Sequence, residues 1–499
     1  MLEELKGRNV NINNLKYHLT NFSSIYLTQA FFNGCFYGIR SLFILYIISQ
    51  FSFTETQVIN LFATFMILCY GTSLAGGYIA DKALGVKNTI MMGGALSALG
   101  LLCVLFSSED LCFFGLALAS LGSGFLKPNI STAIGLLFKN PKDPKKDRAY
   151  SFLYIAMNLG SFIASIICGF VGKTYGWYYG VLLISGVFAG ATYFVYKTMK
   201  FHPSYKEKPI VFKGRLFGGI SFLIFFLYLL FKYQESLHGL MGIIACGSII
   251  YFGVIFYQCQ GKERKDVLVI CLYIFLFALF CTLFEQAGTS LMLFYEKAVD
   301  RHLMGTVIPS STLLSLDPLF VLLCGPLLIF LSNQYLEKTK PLTGLTKTGV
   351  GFLFVTFSFW ILVFSTFQNE ASFIPLLWVI GAMLIQTIGE LWIAPVSFSK
   401  ISQYAPARYK SVMMSFWPMA IAYGHYFAGF IAQFSLNDST TLSSGNSFEQ
   451  YRSFFMYLSL LPLCVGSSLL LYQGSKIAII LARKRKTLSK IFCFFTFFK

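Results

Sequence analysis

Long apolar runs alternate with short polar connections along the whole chain. Each run extends over about 20 residues, which is the length that an α-helix needs to cross a bilayer. An outer-membrane barrel is excluded, because its strands alternate apolar and polar residues over only about ten positions. The pattern predicts an all-α integral membrane protein with about 14 transmembrane helices. These lie approximately at 21–50, 55–80, 88–107, 111–138, 149–172, 176–196, 214–231, 238–258, 267–295, 311–333, 348–368, 373–399, 409–435 and 454–481.

Two polar stretches, 197–215 and 260–266, interrupt this pattern in the middle of the chain. The two segments between them carry almost no polar residues and are predicted to face lipid. Without them, six helices precede and six follow, which is the plan of the major facilitator fold: two six-helix bundles plus two inserted helices. The predicted domains are a cytoplasmic N-terminal segment (1–20), an N-terminal six-helix bundle (21–200), an inserted two-helix linker (201–266), a C-terminal six-helix bundle (267–482) and a basic cytoplasmic tail (483–499).

The formal net charge of +18 comes from 39 Lys and Arg against 21 Asp and Glu. Only 12% of the residues are charged, whereas about 25% is typical of soluble proteins, and the mean hydropathy is +0.67. With a cytoplasmic N-terminus, most basic residues fall on the cytoplasmic side, so the positive-inside rule places both termini there. The basic residues on the opposite side are Lys173, Lys232, Lys297, Arg301 and Arg452. We therefore expect a multi-pass protein of the inner (plasma) membrane, in contact with lipid, and no nucleic-acid partner.

Three further patterns narrow the class. The polar N-terminus lacks the apolar stretch of a cleavable signal peptide. The twelve cysteines are scattered without a CxxC pair, which predicts small buried side chains and no metal site or cofactor. No HExxH or GxSxG motif is present and the five histidines are far apart in sequence, so a membrane-embedded enzyme is disfavoured. A channel is disfavoured as well, because two equivalent halves with charges at the midplane fit alternating access better.

Four charged residues stand out within the predicted membrane helices. Arg40 and Lys127 belong to the first half, and Glu285 and Glu390 to the second. A charge at the bilayer centre costs at least about 2.5 kcal/mol, so each residue is a candidate for function. The arrangement suits either a dipolar ligand that bridges the halves or ion pairs that close them, while a structural ion pair or a snorkelling side chain is the alternative. Asp317 is a fifth candidate, although an Asp before Pro is also common at a helix kink.

The first predicted helix carries a polar stripe. Gln29, Asn33, Tyr37 and Arg40 are spaced 4, 4 and 3 residues apart and therefore share one helical face. A second polar feature is the loop "GGYIADKALGVKNT" at 76–89, which resembles the loop after the second helix of major facilitators. There we expect Asp81 to face a helix N-terminus, where a carboxylate is favoured.

Five further blocks of sequence resemble the proton-dependent oligopeptide transporter (POT) family of the major facilitator superfamily. They are "LGSGFLKPNIS" (121–131), "FLYIAMNLGSF" (152–162), "FEQAGTSLMLFYEKAVDR" (284–301), "IPSSTLLSLDPLF" (308–320) and "IGELWIAPVSFSKISQYAPARYKSVMMSFW" (388–417). The blocks occur in the family's order and cover both halves. The inserted helix pair fits as well, since bacterial members of the family typically carry one.

This resemblance implies a transporter, not an enzyme, that imports di- and tripeptides by alternating access and proton symport. We further expect a functional monomer. The residues that match the family's substrate-binding positions are Tyr37, Arg40, Tyr70, Lys127, Asn158, Glu390 and Trp417. Those that match positions for proton coupling or gating are Glu285, Lys127, Arg40 and Asp317. In this scheme Lys127 and Arg40 meet the peptide carboxylate and Glu390 meets its ammonium group.

The sequence also departs from the family pattern. Gln29, Phe32 and Asn33 stand where the first-helix motif has two glutamates and an arginine. Asp317 replaces the usual asparagine, and Cys281 replaces a tryptophan. Because the missing carboxylates bind or relay protons in the family, the alternative is a proton-uncoupled or diverged carrier for amino acids or another small substrate.

Overall fold

The structure is a computed structural model that describes most of the chain. The residues described are 12–53, 55–140, 143, 145–199, 214–233, 237–288, 290–303, 306–308, 313, 315–331, 342–368, 373–436 and 446–496. They form two compact units. The first contains described residues of Met1–Glu285, Val321–Gly325 and Ser397–Ala428, and the second those of Gln286–Phe320, Pro326–Val396 and Gly429–Lys499.

Helices make up nearly all of the described chain. In chain order they are α1 (Ile12–Gln50), α2 (Glu55–Gly71), α3 (Ser73–Ile79), α4 (Val86–Val104), α5 (Glu109–Leu136), α6 (Lys145–Tyr175), α7 (Trp177–Thr198), α8 (Gly214–Lys232), α9 (Leu237–Gln258), α10 (Gly261–Phe284), α11 (Ser290–Ala298), α12 (Leu316–Leu331), α13 (Gly344–Gln368), α14 (Leu376–Tyr404), α15 (Lys410–Leu436) and α16 (Asn446–Thr496). A π-helical turn (Ala80–Leu84) follows α3, and 3-10 turns follow α10 (Glu285–Gly288) and α14 (Ala407–Tyr409).

The prediction of an all-helical membrane protein is confirmed. A helix of the structure coincides with every predicted segment, and within the described residues ten helices are long and apolar enough to cross a membrane. The total of 14 spans and the domain boundaries stay predictions. Large apolar side chains such as Phe222 and Ile249 are exposed on the inserted helices α8 and α9, as expected for surfaces that contact lipid.

In the first unit, α4 packs along α5, and α1 packs along both α6 and α7. Ser108 caps the N-terminus of α5, because its Oγ accepts a hydrogen bond from the Leu111 N–H. The inserted helix α8 packs on α5. Lys232, the last residue of α8, lies with its Nζ 2.9 Å from Oδ1 of Asp110 at the start of α5. Within this unit α8 is thus held to α5, and α9 contacts α2.

In the second unit, α13 packs along α16, where Trp360 Nε1 donates to Ser459 Oγ at 3.1 Å. Four short strands connect helices of this unit. Strands β1 (Val299–Asp300) and β4 (Ile374–Pro375) pair in parallel, whereas β2 (His302–Leu303) and β3 (Thr306–Val307) form an antiparallel hairpin.

Candidate functional site

Lys127 of α5 lies against two aromatic rings. Its Nζ is 3.4 Å from the centre of the Tyr70 ring and 3.5 Å from that of Phe36. The Nζ atom is buried, and no hydrogen-bond acceptor for it occurs among the described residues. Aromatic faces attract a cation but do not neutralise it. The lysine is therefore positioned to bind an anionic group.

Arg40 of α1 lies in the same cluster. Its guanidinium carbon is 5.6 Å from the centre of the Tyr37 ring, and its charge interacts with those of Lys127 and Glu285. We call Arg40, Lys127, Tyr37, Tyr70 and Phe36 the cationic cluster. The structure thus brings together four of the predicted substrate-binding residues, from helices α1, α2 and α5.

Glu285 follows the last residue of α10 and pairs with a histidine that the sequence analysis did not single out. Its Oε2 lies 3.0 Å from Nδ1 of His425 on α15, with side chains that are 19% and 29% exposed. The ring of His425 is 6.2 Å from that of Tyr70, so this pair adjoins the cationic cluster. A signal for His425 was present, because an ionisable residue within a membrane segment is a candidate for function. Unlike Lys, Arg, Asp and Glu, a histidine is often neutral, so its place in an apolar helix is a weaker signal.

Asn158 and Trp417 make contacts of a different kind. Asn158 Nδ2 donates to the Tyr154 carbonyl one turn earlier in α6, at 3.1 Å. Trp417 is 4% exposed, stacks on Phe277 and Phe398, and donates from Nε1 to Ser397 Oγ at 3.1 Å. In this conformation Trp417 packs within an aromatic core, so direct contact between its ring and a ligand stays a prediction.

The two remaining predicted residues belong to the second unit. Glu390 of α14 is 3% exposed, next to Gly389, which lies against Gly351 of α13. Asp317 of α12 accepts a hydrogen bond from Thr387 Oγ1 at 2.9 Å. Asp317 thus links α12 to α14, which is a structural role that the sequence did not indicate.

The polar stripe of α1 serves two purposes. Asn33 Nδ2 donates to the Met157 carbonyl at 2.9 Å and to Ser161 Oγ at 2.8 Å, which joins α1 to α6. Gln29 is also buried, on the same side of α1. One end of the stripe therefore contributes to helix packing, and the other end, Tyr37 and Arg40, contributes to the cationic cluster.

Asp81 binds a helix N-terminus, as predicted. Its Oδ1 accepts from the Ser411 N–H at 3.0 Å and its Oδ2 from the Val412 N–H at 2.9 Å, in the first turn of α15. Close approach at this point requires glycine: a Cβ on Gly77 would lie 2.7 Å from the Ser411 carbonyl oxygen. Gly85, with φ of 78°, then turns the chain into α4.

The start of α6 is joined to the end of α14 by a polar network. Lys146, which is 2% exposed, donates from Nζ to Ser402 Oγ at 3.0 Å and to its carbonyl at 3.3 Å. The neighbouring Asp147 accepts from Ser399 Oγ and, at 2.9 Å, from Gln403 Nε2, and it lies 3.4 Å from Lys400 Nζ.

No cluster of three or more potential metal ligands occurs within the described part of the chain.

Comparison with known proteins shows to which family the chain is related. The sequence profile of the POT family (PTR2) matches residues 87–452. The chain is 27% identical over 446 residues to dipeptide and tripeptide permease A of Salmonella typhimurium strain LT2, covering 87% of this chain and 88% of the permease. The permease of the same name from Escherichia coli K12 is 26% identical over 445 residues, with the same coverage of both chains.

Solved structures show the same fold. A crystal structure of a peptide transporter POT in complex with sulfate superposes with a TM-score of 0.67 at 22% identity, covering 91% of this chain and 94% of the other. A POT family transporter in complex with a thioalcohol-conjugated peptide gives the same TM-score and identity, covering 91% and 96%. The profile match extends over more than half of the chain and the superposition covers nearly all of it. The chain therefore belongs to the POT family and has the major facilitator fold.

Proposed function

We propose that this membrane transporter imports di- and tripeptides by alternating access, driven by proton symport. The observation that carries the proposal is the cationic cluster, in which Lys127 Nζ is buried on two aromatic faces beside Arg40. Two adjacent buried cations repel each other, so an anionic ligand group is strongly favoured between them. The relatives that are named dipeptide and tripeptide permeases support a peptide carboxylate as that group.

Other residues would bind other parts of the peptide. Glu390 is proposed to bind the ammonium group, since a buried carboxylate favours a cationic partner. Asn158 would hydrogen-bond the peptide backbone, after its side chain turns away from the Tyr154 carbonyl. Trp417 would act through the shape of the site, and Asp317 would position α14 through Thr387.

Proton coupling would use the carboxylate of Glu285. A carboxylate that exchanges between cationic partners can link protonation to a change of conformation, because each partner stabilises a different arrangement of helices. Arg40 and Lys127 would take part in this exchange through their charges. Release of substrate would further require the contacts of Lys146 and Asp147 with α14 to open.

The positions of the basic residues support an inner-membrane protein with cytoplasmic N- and C-termini. We further propose a functional monomer whose two six-helix bundles are residues 21–200 and 267–482, with 201–266 as the inserted linker. A reporter fused to either terminus, active only in the cytoplasm, tests the orientation. Mass measurement of the detergent-purified protein tests the monomer.

The decisive experiment is uptake of radiolabelled dialanine into proteoliposomes, with and without an inward proton gradient. We expect the gradient to accelerate uptake and unlabelled di- and tripeptides to compete, whereas free amino acids do not. Uptake that ignores the gradient would refute the symport. Competition by amino acids alone would refute the peptide substrate.

Variants of two lysines locate the site. Lys127→Ala should abolish dialanine binding, because it removes the buried cation. The matched control is Lys87→Ala, since Lys87 is partly exposed and donates to the Tyr196 carbonyl at 3.3 Å. Equal transport by both variants would show that Lys127 does not bind the substrate.

A further inference from the structure

The Glu285–His425 pair is held by close contact between two helices. Gly424 lies against Cys281, and a Cβ at position 424 would be 2.9 Å from the Cys281 carbonyl carbon. This contact brings α15 onto α10 one turn before Glu285, so that the carboxylate and the imidazole meet at 3.0 Å. A larger side chain at either position would separate the helices. The Glu285–His425 pair therefore depends on the close contact between α10 and α15.

The geometry defines which nitrogen exchanges a proton. Oε2 of Glu285 faces Nδ1 of His425, and an ionised carboxylate can only accept a hydrogen bond. In the arrangement that the structure shows, Nδ1 therefore carries a hydrogen. In that arrangement Nε2 is the nitrogen that is left to gain or lose the second proton. Histidine suits this role because its ring is neutral with one N–H group and charged with two.

The charged groups around the Glu285–His425 pair determine what changes when His425 gains a proton. Arg40 of α1 interacts electrostatically with Glu285, and Lys127 of α5 interacts with Arg40. Tyr70 of α2 faces the His425 ring, while Tyr423 on α15 itself bonds to Ser248 of α9. Glu285 is therefore attracted by two groups, of which Arg40 is always charged and His425 is charged only when protonated.

We propose that protonation of His425 transfers the carboxylate of Glu285 from Arg40 to the imidazolium and thereby frees Arg40 for the substrate carboxylate. A neutral His425 leaves Arg40 bound to Glu285 and weakens peptide binding. Proton and peptide thus bind cooperatively, without the carboxylates that the first helix lacks. This inference rests on the proposed function, since it takes a peptide carboxylate as the ligand of Arg40.

Three variants of the full chain in nanodiscs test the inference through the affinity for dialanine between pH 5.5 and 8. The wild type should lose affinity as the pH rises, by up to about tenfold per pH unit, as linkage to one proton requires. His425→Asn keeps an N–H donor near Nδ1 but cannot be charged, so its affinity should be low at every pH. His425→Lys carries a fixed charge, so its affinity should be high at every pH.

The control is His302→Asn, because His302 forms a similar but exposed pair with Asp300, with 2.8 Å between Nδ1 and Oδ1. It should retain the wild-type profile. A wild-type profile in either charge variant of His425 would overturn the inference, and if one variant does not fold, the other decides.

Thermal unfolding without peptide separates this inference from the proposed function. The difference in melting temperature between the wild type and His425→Asn should change between pH 5.5 and 8, because only the wild type can change its charge at this position. A constant difference, with dialanine still transported, would refute the role of His425 and leave peptide transport standing. A wild type that binds no dialanine would refute the proposed function and, with it, the release of Arg40.

Discussion

Replacement of Asp81 by Asn tests how strongly the π-helical turn holds the start of α15. The wild-type carboxylate accepts from the N–H groups of Ser411 and Val412 at 3.0 and 2.9 Å. Both donors belong to the first turn of a helix, where the N–H groups lack partners within the helix. Asparagine has the same shape but offers one acceptor oxygen, turns an amide NH2 towards the second N–H, and carries no charge.

The expected loss in the free energy of unfolding follows from the two hydrogen bonds that Asp81 accepts. A hydrogen bond to a charged group contributes about 1.5–3 kcal/mol, whereas one between neutral groups contributes about 0.5–1.5 kcal/mol. Asp81→Asn loses one charged bond and converts the other to a neutral one. We therefore expect a loss of about 2–4 kcal/mol in the free energy of unfolding. At the scale known for domains of moderate size, the melting temperature should fall by roughly 4–10 °C.

The assay is thermal unfolding of the purified protein, followed by intrinsic fluorescence. Asp110→Asn is the matched control, because Asp110 is 65% exposed and pairs with Lys232 at the surface. Exposed salt bridges contribute little to stability, so this variant should have the same melting temperature as the wild type. If Asp81→Asn and the wild type had the same melting temperature, the carboxylate would not be what holds the start of α15.

Three further predictions concern other parts of the first unit. Asn33→Leu should destabilise the protein by about 1–3 kcal/mol, measured as a lower melting temperature, because it removes the donor to α6, whereas Ser161→Ala should cost less. Lys127→Arg should bind dialanine more weakly than the wild type in direct binding measurements, since the guanidinium is larger than the ammonium, which lies only 3.4 and 3.5 Å from two ring centres; unchanged affinity would contradict this. Asp147→Asn should make α14 more accessible at its end, measured as faster hydrogen exchange around Lys400, and an unchanged rate would show that the network does not hold the two helices.

The cationic cluster shows how far residue types alone can predict a site. An arginine and a lysine within apolar helices were identified as functional candidates because each is costly in a bilayer. Helical spacing also placed Tyr37 and Arg40 on one face. The spacing could not show that Asn33, on the same face, bonds to Met157 of α6. That difference depends on which neighbouring helix covers each turn of α1.

The pairing of His425 with Glu285 could not be predicted from the sequence. His425 is separated from Glu285 by most of the second half of the chain, and a lone histidine in a helix carries no local sign of its partner. Cys281 was noted only as a departure from the family pattern, yet its small side chain allows Gly424 to bring α15 onto α10. The pair therefore arises from the packing of two helices.

The sequence by itself determined the helices, the membrane class, the family and the cations of the site. These properties follow from hydrophobic length, the distribution of charge and motifs, all of which are local along the chain. The tertiary structure decided which side chains pair, namely Asp81 with α15, Lys146 with Ser402, and Glu285 with His425. Such pairs depend on how closely helix backbones approach each other, and that is set by small residues distributed over several helices.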